Sequence, residues 1–420
     1  MIGNIPLLKK RRFNYKKKIY FDRFLSPLLL LPFSLVIISS FLIQSVQRQL
    51  ERNDSFNHFF MGIAGYLVAI VISYIPLQKL KSLILPFYLL VLFSLISIYF
   101  FGIAIYGAQR WLSLGFITFQ PSEVAKLSTL LALAAVFERA CINSIKDLFL
   151  PFFVAIIPWT LIFFQPDLGT SLVLIFLFLT LLYWIQVPVQ AIAIVLLCSI
   201  TTILSMISFQ LVYFWIPLIC FWAYKTFKRQ KIFTLLTLIL HGLIAKLTPF
   251  LWNVGLKDYQ KDRLILFLDP GKDPLGGGYH LLQSKIAIGS GGLFGTGLLK
   301  GKLTNLQFIP EQHTDFIFSA LGEETGFLGS MLVVLIFFIL IFKLIKIAKN
   351  ARTDFESLIV IGIASIFAFQ IIINIFMTVG LGPVTGIPLP FMSYGRTSLL
   401  INFVFIGLAL STYKRCVPIR

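Results

Sequence analysis

Long apolar windows, separated by short polar loops, follow one another along the whole chain. A charge-free run such as 28–43 approaches the roughly 20 apolar residues with which a helix crosses the hydrocarbon core of a bilayer. A helix also satisfies its own backbone hydrogen bonds, as hydrocarbon demands. The pattern predicts an all-α polytopic membrane protein with about twelve spans, at 24–45, 57–76, 82–105, 121–138, 147–164, 170–186, 189–206, 208–225, 232–251, 327–347, 357–380 and 392–412.

The composition agrees with this prediction. The 420 residues are 58% hydrophobic and 13% charged, whereas soluble domains are about 45–50% apolar and about 25% charged. A net charge of +19 invites a nucleic-acid interpretation, but the basic residues lie between apolar runs and not on a polar domain, so no nucleic-acid partner is expected. The four cysteines form no CxxC pair, which argues against a disulfide framework or a zinc site.

Basic residues in the short loops predict the orientation, because Lys and Arg are retained on the cytoplasmic side. With the basic tail 1–23 inside, the clusters around Lys225 and Lys343 also fall inside, and both termini are cytoplasmic. Merging 189–225 into one span would move the first of these clusters outside, so we keep two spans there. The predicted division is a helical bundle over 24–251, a large extracytoplasmic loop over 252–316 and the last helices within 317–420.

Charged side chains near spans are costly to insert and are therefore candidates for function. The first candidates are Arg110, Trp111, Glu123 and Lys126, which lie where an outer loop enters the fourth span. Glu123 and Lys126 are three residues apart, a spacing at which opposite charges pair on one helical face. Two interpretations stay open: an interfacial ion pair with water close by, or a cationic lip formed by Arg110 and Lys126 for an anionic lipid head group.

Asp167 lies in the short turn 165–170 between two spans. It either caps the following helix, as Asp does at helix starts, or takes part in a site.

Glycines crowd the large loop without forming a nucleotide motif. Gly289, Gly291, Gly295 and Gly297 fit neither GxGxxG nor GxxxxGK[ST], and they are expected instead to permit tight turns and close approach of the backbone to a ligand. His280 and His313 lack partners at the spacing of zinc ligands.

Asp315 is the candidate catalytic residue. It follows His313 and precedes the apolar run Phe316-Ile-Phe, where the loop re-enters the membrane. Partial desolvation at such a boundary is expected to raise the pKa of a carboxyl group toward a value useful for a general base. A helix N-cap is the alternative. Further along the chain, Gln370 and Asn374 lie one turn apart, a pattern more typical of helix packing than of ligand binding.

These blocks, in this order, resemble the SEDS family of bacterial cell-wall polymerases, and its elongation members more than its division members. The resemblance rests on GAQRWLSLG and FQPSEVAK within 107–126, QPDLGTS at 165–171, DPLGGGYHLLQSKIAIGSGGLFGTG at 273–297, PEQHTDFIFSALGEETG at 310–326 and PVTGIPLPFMSYG at 383–395. Together the blocks cover the chain from about residue 20 onward.

The resemblance implies a peptidoglycan glycosyltransferase of the bacterial inner membrane that polymerises lipid II, alongside a class B penicillin-binding protein and the elongation machinery. It implies that Asp315 is the general base and that undecaprenyl pyrophosphate leaves. Arg110, Lys126 and Lys285, or a divalent cation such as Mg²⁺ or Mn²⁺, would meet the pyrophosphate charge. The expected substrate-binding residues are Arg110, Trp111, Glu123, Lys126, Asp167, Lys285 and His313. A lipid II flippase and a scaffold of the cell-wall complex are the alternatives.

Two features depart from the family pattern. The family usually has about ten spans, so this chain is expected to carry an extra hairpin within 188–251. Arg396 stands where the family usually has a second glycine after Ser-Tyr-Gly.

Overall fold

The structure is a computed structural model that describes residues 25–48, 53–105, 108–114, 117–139, 145–227, 231–255, 261, 266–267, 277–306, 308–309 and 312–416. Within these residues the chain forms fourteen α-helices. They are α1 (Leu25–Val46), α2 (Asp54–Tyr74), α3 (Leu77–Phe101), α4 (Pro121–Arg139), α5 (Phe149–Phe164), α6 (Leu168–Trp184), α7 (Val189–Ile207), α8 (Phe209–Thr226), α9 (Lys231–Phe250), α10 (Gly277–Ser290), α11 (Lys302–Asn305), α12 (Ile317–Asn350), α13 (Asp354–Val379) and α14 (Arg396–Cys416).

Each of the twelve predicted windows coincides with a helix, so the predicted helical membrane fold is confirmed. Eight helices of the described chain are long and apolar enough to cross a membrane, and α5 and α6 are shorter apolar helices. The number of long apolar helices indicates that the chain is a multi-pass membrane protein. The basic N-terminal tail and most of 256–276 lie outside the described residues.

A small antiparallel sheet, which the sequence did not predict, joins α3 to α4. Its strands are β1 (Ile103–Ile105), β2 (Ala108–Leu114) and β3 (Ile117–Phe119), in the order β1-β2-β3. Trp111 is opposite Ile103, and Leu112 is opposite Phe119. Aromatic and β-branched residues favour such cross-strand pairing. The sheet places Arg110 and Trp111 beside the start of α4.

Helix α12 is two helices joined at a kink. Gly326 has φ 66° and ψ −163°, a conformation that glycine tolerates because it has no Cβ. The predicted span over 327–347 therefore starts at this break, and 317–325 is a separate short helix. The loop before it folds back onto the kink, where Phe327 N donates to Gly292 O (2.9 Å) and Gly297 N donates to Glu324 O (3.0 Å).

The loop glycines serve this close approach of two backbones. A methyl group at Gly291 would collide with the carbonyl oxygen of Gly322, and one at Gly295 with that of Glu324. For Gly291 and Gly295 the backbone approached is that of 322–324, and the predicted approach to a ligand stays a prediction.

The chain divides into two compact units. The smaller one contains α7, α8 and α9, in the segment where an extra hairpin is predicted. A buried polar cluster joins its three helices: His241 Nδ1 lies 2.6 Å from Thr201 Oγ1, which also accepts a hydrogen bond from Trp215 Nε1 (3.0 Å). The larger unit contains the remaining helices and the sheet; α6 begins in it, and the last residues of α6, 181–184, belong to the smaller unit.

Helices α2 and α14 pack closely within the larger unit. A methyl group at Gly65 would collide with the ring of Phe403, and one at Gly407 would lie 2.9 Å from Ala69 O. Small residues at such positions let membrane helices approach each other closely.

Candidate active site

Helix α4 carries a buried ion pair at its start. Pro121 occupies the first turn, where a missing N–H costs nothing. Lys126 Nζ lies 2.9 Å from Glu123 Oε1 and 2.8 Å from Oε2. The predicted pairing is confirmed. The interpretation as an interfacial ion pair requires water close to the pair. Both side chains are buried instead, because Lys126 is 0% exposed and Glu123 is 3% exposed.

Asp167 joins β2 to the start of α4. Its carboxylate lies 3.8 Å from Arg110 Nη1 and accepts a hydrogen bond from Ser122 Oγ (3.0 Å). It also caps α6, because Oδ1 accepts from Thr170 N (3.3 Å). The two interpretations of Asp167 are therefore compatible. Burial alone would raise the pKa of Asp167, but the Arg110 charge and the hydrogen bonds from Thr170 and Ser122 hold that pKa below its usual value.

Asp315 lies in the turn that leads into α12, and it is half-buried. The turn is held from two sides. Asn374 Nδ2 of α13 donates to Asp315 O (2.9 Å), and Tyr394 N donates to His313 O (2.9 Å). The ring of His313 also lies 5.7 Å from that of Tyr394, centroid to centroid. The backbone position of Asp315 is thus fixed by partners far away in the sequence.

A short path of contacts connects the Asp167 turn to Asp315. A methyl group at Gly169 would lie 2.8 Å from Ile387 Cγ1, so the turn 165–170 packs against the segment before α14. Ile387 O accepts a second hydrogen bond from Asn374 Nδ2 (2.8 Å), the same nitrogen that donates to Asp315 O. Asn374 therefore makes the packing contacts expected of it, and these contacts join the two predicted groups.

Lys285 lies on α10 at the C-terminal end of α13. The end of its side chain packs directly on Gly380, and the neighbouring Ser284 Oγ donates to Thr378 O (2.7 Å). The residue is nevertheless exposed. Of the predicted site residues, Lys285 presents the most accessible cation.

The sequence did not single out Asp54 and Tyr394. Tyr394 OH donates to Asp54 Oδ1 (2.9 Å), and Gln47 Nε2 donates to Oδ2 (2.8 Å). An acidic residue at the edge of an apolar window was the available signal for Asp54. Its partner lies 340 residues away, and no spacing rule connects them.

Two further carboxylates anchor the large loop. Glu323 and Glu324 are each 1% exposed. Glu323 accepts hydrogen bonds from Leu303 N (2.8 Å) and Thr304 N (2.9 Å), which hold the start of α11. Glu323 and Glu324 belong to the GEETG block of the sequence. The sequence alone did not predict a role for them.

No group of three or more His, Cys, Asp or Glu in the described chain could hold a metal ion. A Mg²⁺ ion that arrives on a pyrophosphate needs no such cluster, because Mg²⁺ is usually held by substrate phosphates with one or two carboxylates.

Known proteins resemble this chain over nearly its whole length. The family model for FtsW, RodA and SpoVE, described as cell cycle protein, matches residues 22–236 and 210–415. The two matches overlap inside the segment of the predicted extra hairpin. The peptidoglycan glycosyltransferase MrdB of Escherichia coli K12 is 33% identical over 412 residues, which are 95% of this chain and 96% of that protein. The peptidoglycan glycosyltransferase RodA of Treponema pallidum is 32% identical over 84% of this chain and 88% of that protein.

A solved structure agrees with the sequence matches. It belongs to a study of how a peptidoglycan synthase complex coordinates polymerization and crosslinking. The matching chain has a TM-score of 0.70 and 26% identity, with 93% of this chain and 97% of that chain covered. The chain therefore belongs to the FtsW/RodA/SpoVE family, the SEDS family that its motifs resemble.

Proposed function

We propose that this protein is a peptidoglycan glycosyltransferase that polymerises lipid II into glycan strands during cell elongation. The relatives with this activity in their names match nearly the full chain. The observation that carries the proposal is the turn of Asp315: a half-buried carboxylate on a backbone fixed by Asn374 and Tyr394. A base must be held in this way to reach one particular hydroxyl proton.

In the proposed reaction, Asp315 accepts the proton of the 4-hydroxyl of one lipid-linked disaccharide. The hydroxyl oxygen attacks the anomeric carbon of a second one, and the bond to undecaprenyl pyrophosphate breaks with inversion. General-base help of this kind contributes about 10² to 10⁴ in rate. His313, two residues earlier in the same turn, would contact the sugar.

The cations near the site differ in how readily they could meet the pyrophosphate. Arg110 and Lys126 are already beside Asp167 and Glu123, so they would reach a phosphate only by exchanging those partners. Exposed Lys285 has no such requirement, and we propose that it meets the leaving group first. A divalent cation, Mg²⁺ or Mn²⁺, would be held by the pyrophosphate oxygens and would neutralise the developing charge. Trp111, on the sheet, would lie at head-group level.

The loop basic residues support an orientation in which both termini face the cytoplasm of the inner membrane and the Asp315 turn faces outward. A class B penicillin-binding protein is the proposed partner, since a related structure comes from a complex that couples polymerization to crosslinking. It would act on the same outer side.

The test uses purified full-length protein in liposomes with lipid II and no other polymerase. Glycan ladders on a gel are expected from the wild type, with or without the transpeptidase. Asp315→Asn should lose at least about 10² in rate while remaining folded, and Asp315→Glu should retain part of the activity.

Asp354→Asn is the matched control. Asp354 lies in the first turn of α13, about 30 Å along that helix from Asn374. The Asp354→Asn variant should polymerise lipid II like the wild type. An inserted Asp315→Asn protein that still makes ladders would refute the base assignment. If the wild type makes no ladder under either condition, the flippase or scaffold alternative replaces the polymerase.

A further inference from the structure

A groove runs between α2 and α14 in the larger unit. Its volume is about 510 Å³, within the range of 300–1,000 Å³ that is common for small-ligand sites. It is lined by Asn57, Phe60, Met61, Phe119, Arg396, Thr397, Leu400 and Ile401.

The lining residues of α2 and α14 divide by polarity along the groove. The polar ones, Asn57, Arg396 and Thr397, belong to the first turns of α2 and α14. About one turn further into each helix the lining is apolar, with Phe60 and Met61 on α2 and Leu400 and Ile401 on α14. The groove therefore has a polar mouth and an apolar floor. Both helices are long and apolar enough to cross a membrane.

Arg396 is exposed and is the first residue of α14. A cation in the first turn of a helix is unfavourable, because the helix dipole is positive there. Its position is therefore not explained by helix stability. Among the described residues Arg396 forms no salt bridge, and its guanidinium lies beside the hydroxyl of Tyr394.

A guanidinium binds phosphate through two parallel hydrogen bonds. We propose that this groove binds one anionic phospholipid of the surrounding bilayer, with its phosphate on Arg396 and part of one acyl chain on the apolar floor. Phe60 is 64% exposed on a helix long and apolar enough to cross a membrane, so the groove opens on the outside of the helix, where bilayer phospholipid would be in large excess. The inference does not depend on the glycosyltransferase reaction.

The test measures binding of dioleoyl phosphatidylglycerol and dioleoyl phosphatidylcholine to the purified full-length protein by native mass spectrometry. The wild type should bind one phosphatidylglycerol more tightly than phosphatidylcholine. Arg396→Gln should weaken phosphatidylglycerol binding about tenfold, because a charged hydrogen-bonded pair is lost. Leu400→Trp, which fills the floor, should weaken binding of both lipids.

The matched control is Arg48→Gln. Arg48 is an exposed arginine just beyond α1 whose guanidinium donates to Leu299 O (3.2 Å). This variant removes the same charge and should bind phosphatidylglycerol like the wild type. Thermal unfolding in detergent reports separately that each variant is folded.

Equal binding by Arg396→Gln and Arg48→Gln would overturn the proposed phosphate contact. Unchanged binding by Leu400→Trp would overturn the proposed chain site. If one equivalent of lipid II displaces the bound phosphatidylglycerol, the groove belongs to the lipid-linked substrate and the phospholipid assignment is wrong.

Discussion

The hydroxyl group of Tyr394 donates a 2.9 Å hydrogen bond to Oδ1 of Asp54, which fastens the segment before α14 to the start of α2. The backbone N–H of the same tyrosine donates to His313 O (2.9 Å). Tyr394 thus connects the first residue of α2 with the turn of Asp315.

Tyr394→Phe should lower the free energy of unfolding by about 1–2 kcal/mol, because Asp54 loses one of its side-chain donors and keeps Gln47 and Asn57. Thermal unfolding in detergent measures the change. The matched control is Tyr99→Phe, which removes a more exposed hydroxyl bonded to Leu161 O (3.0 Å) and should cost less than about 0.5 kcal/mol. Equal effects of the two variants would show that the carboxylate contact adds no stability.

Breaking the Glu123–Lys126 pair should destabilise the protein more than removing it. Lys126→Met leaves a buried carboxylate without its cation, at a cost of about 3–5 kcal/mol. The double variant Glu123→Gln/Lys126→Met should recover much of that loss. A double-mutant cycle on thermal unfolding tests this, and strictly additive effects would contradict the coupling.

Gly326→Ala should destabilise the protein by at least about 2 kcal/mol. The residue has φ 66°, which strains any L side chain, and the added methyl would collide with Gly295 N and lie 2.7 Å from Leu293 O. Gly242→Ala in α9 is the opposite case, because nothing lies within 4 Å of its added methyl. It should be neutral or stabilising by up to about 1 kcal/mol. Similar losses in both variants would disprove the role of the kink.

Acid should weaken the fold through Asp167. The folded-state pKa of this carboxyl lies below its usual value, so its ionised form contributes stability above about pH 4, and that contribution is lost as the pH falls through the folded-state pKa. The melting temperature of the wild type should therefore drop more steeply below about pH 5 than that of Asp167→Asn. Parallel pH profiles would show that Asp167 does not couple to folding.

Local rules predicted much of this molecule. Apolar length located the helices, and the basic loops argued for keeping α7 and α8 as separate spans. The i,i+3 spacing of Glu123 and Lys126 predicted their ion pair because both lie on one helix. The complete burial of that pair was not predictable, since it depends on helices distant in the sequence.

The same limit applies to the turn of Asp315. Its position next to an apolar run is visible in the sequence, whereas its fixation by Asn374 and Tyr394 joins residues 59 to about 80 positions apart. The sheet was missed for another reason: its strands Ile103–Ile105 and Ile117–Phe119 are only three residues long, too short for an alternating pattern to emerge.

Because of the kink at Gly326, the position of the site does not depend on the thickness of the bilayer. Residues 327–350 alone are about 36 Å long as a helix, enough to cross a hydrocarbon core of about 30 Å. The segment 317–325, with Glu323 at its end and Asp315 just before it, adds length that the crossing does not need. The helix 327–350 can adapt to a thicker or thinner membrane by changing its tilt. The segment 317–325 can keep its contacts with the large loop while this happens.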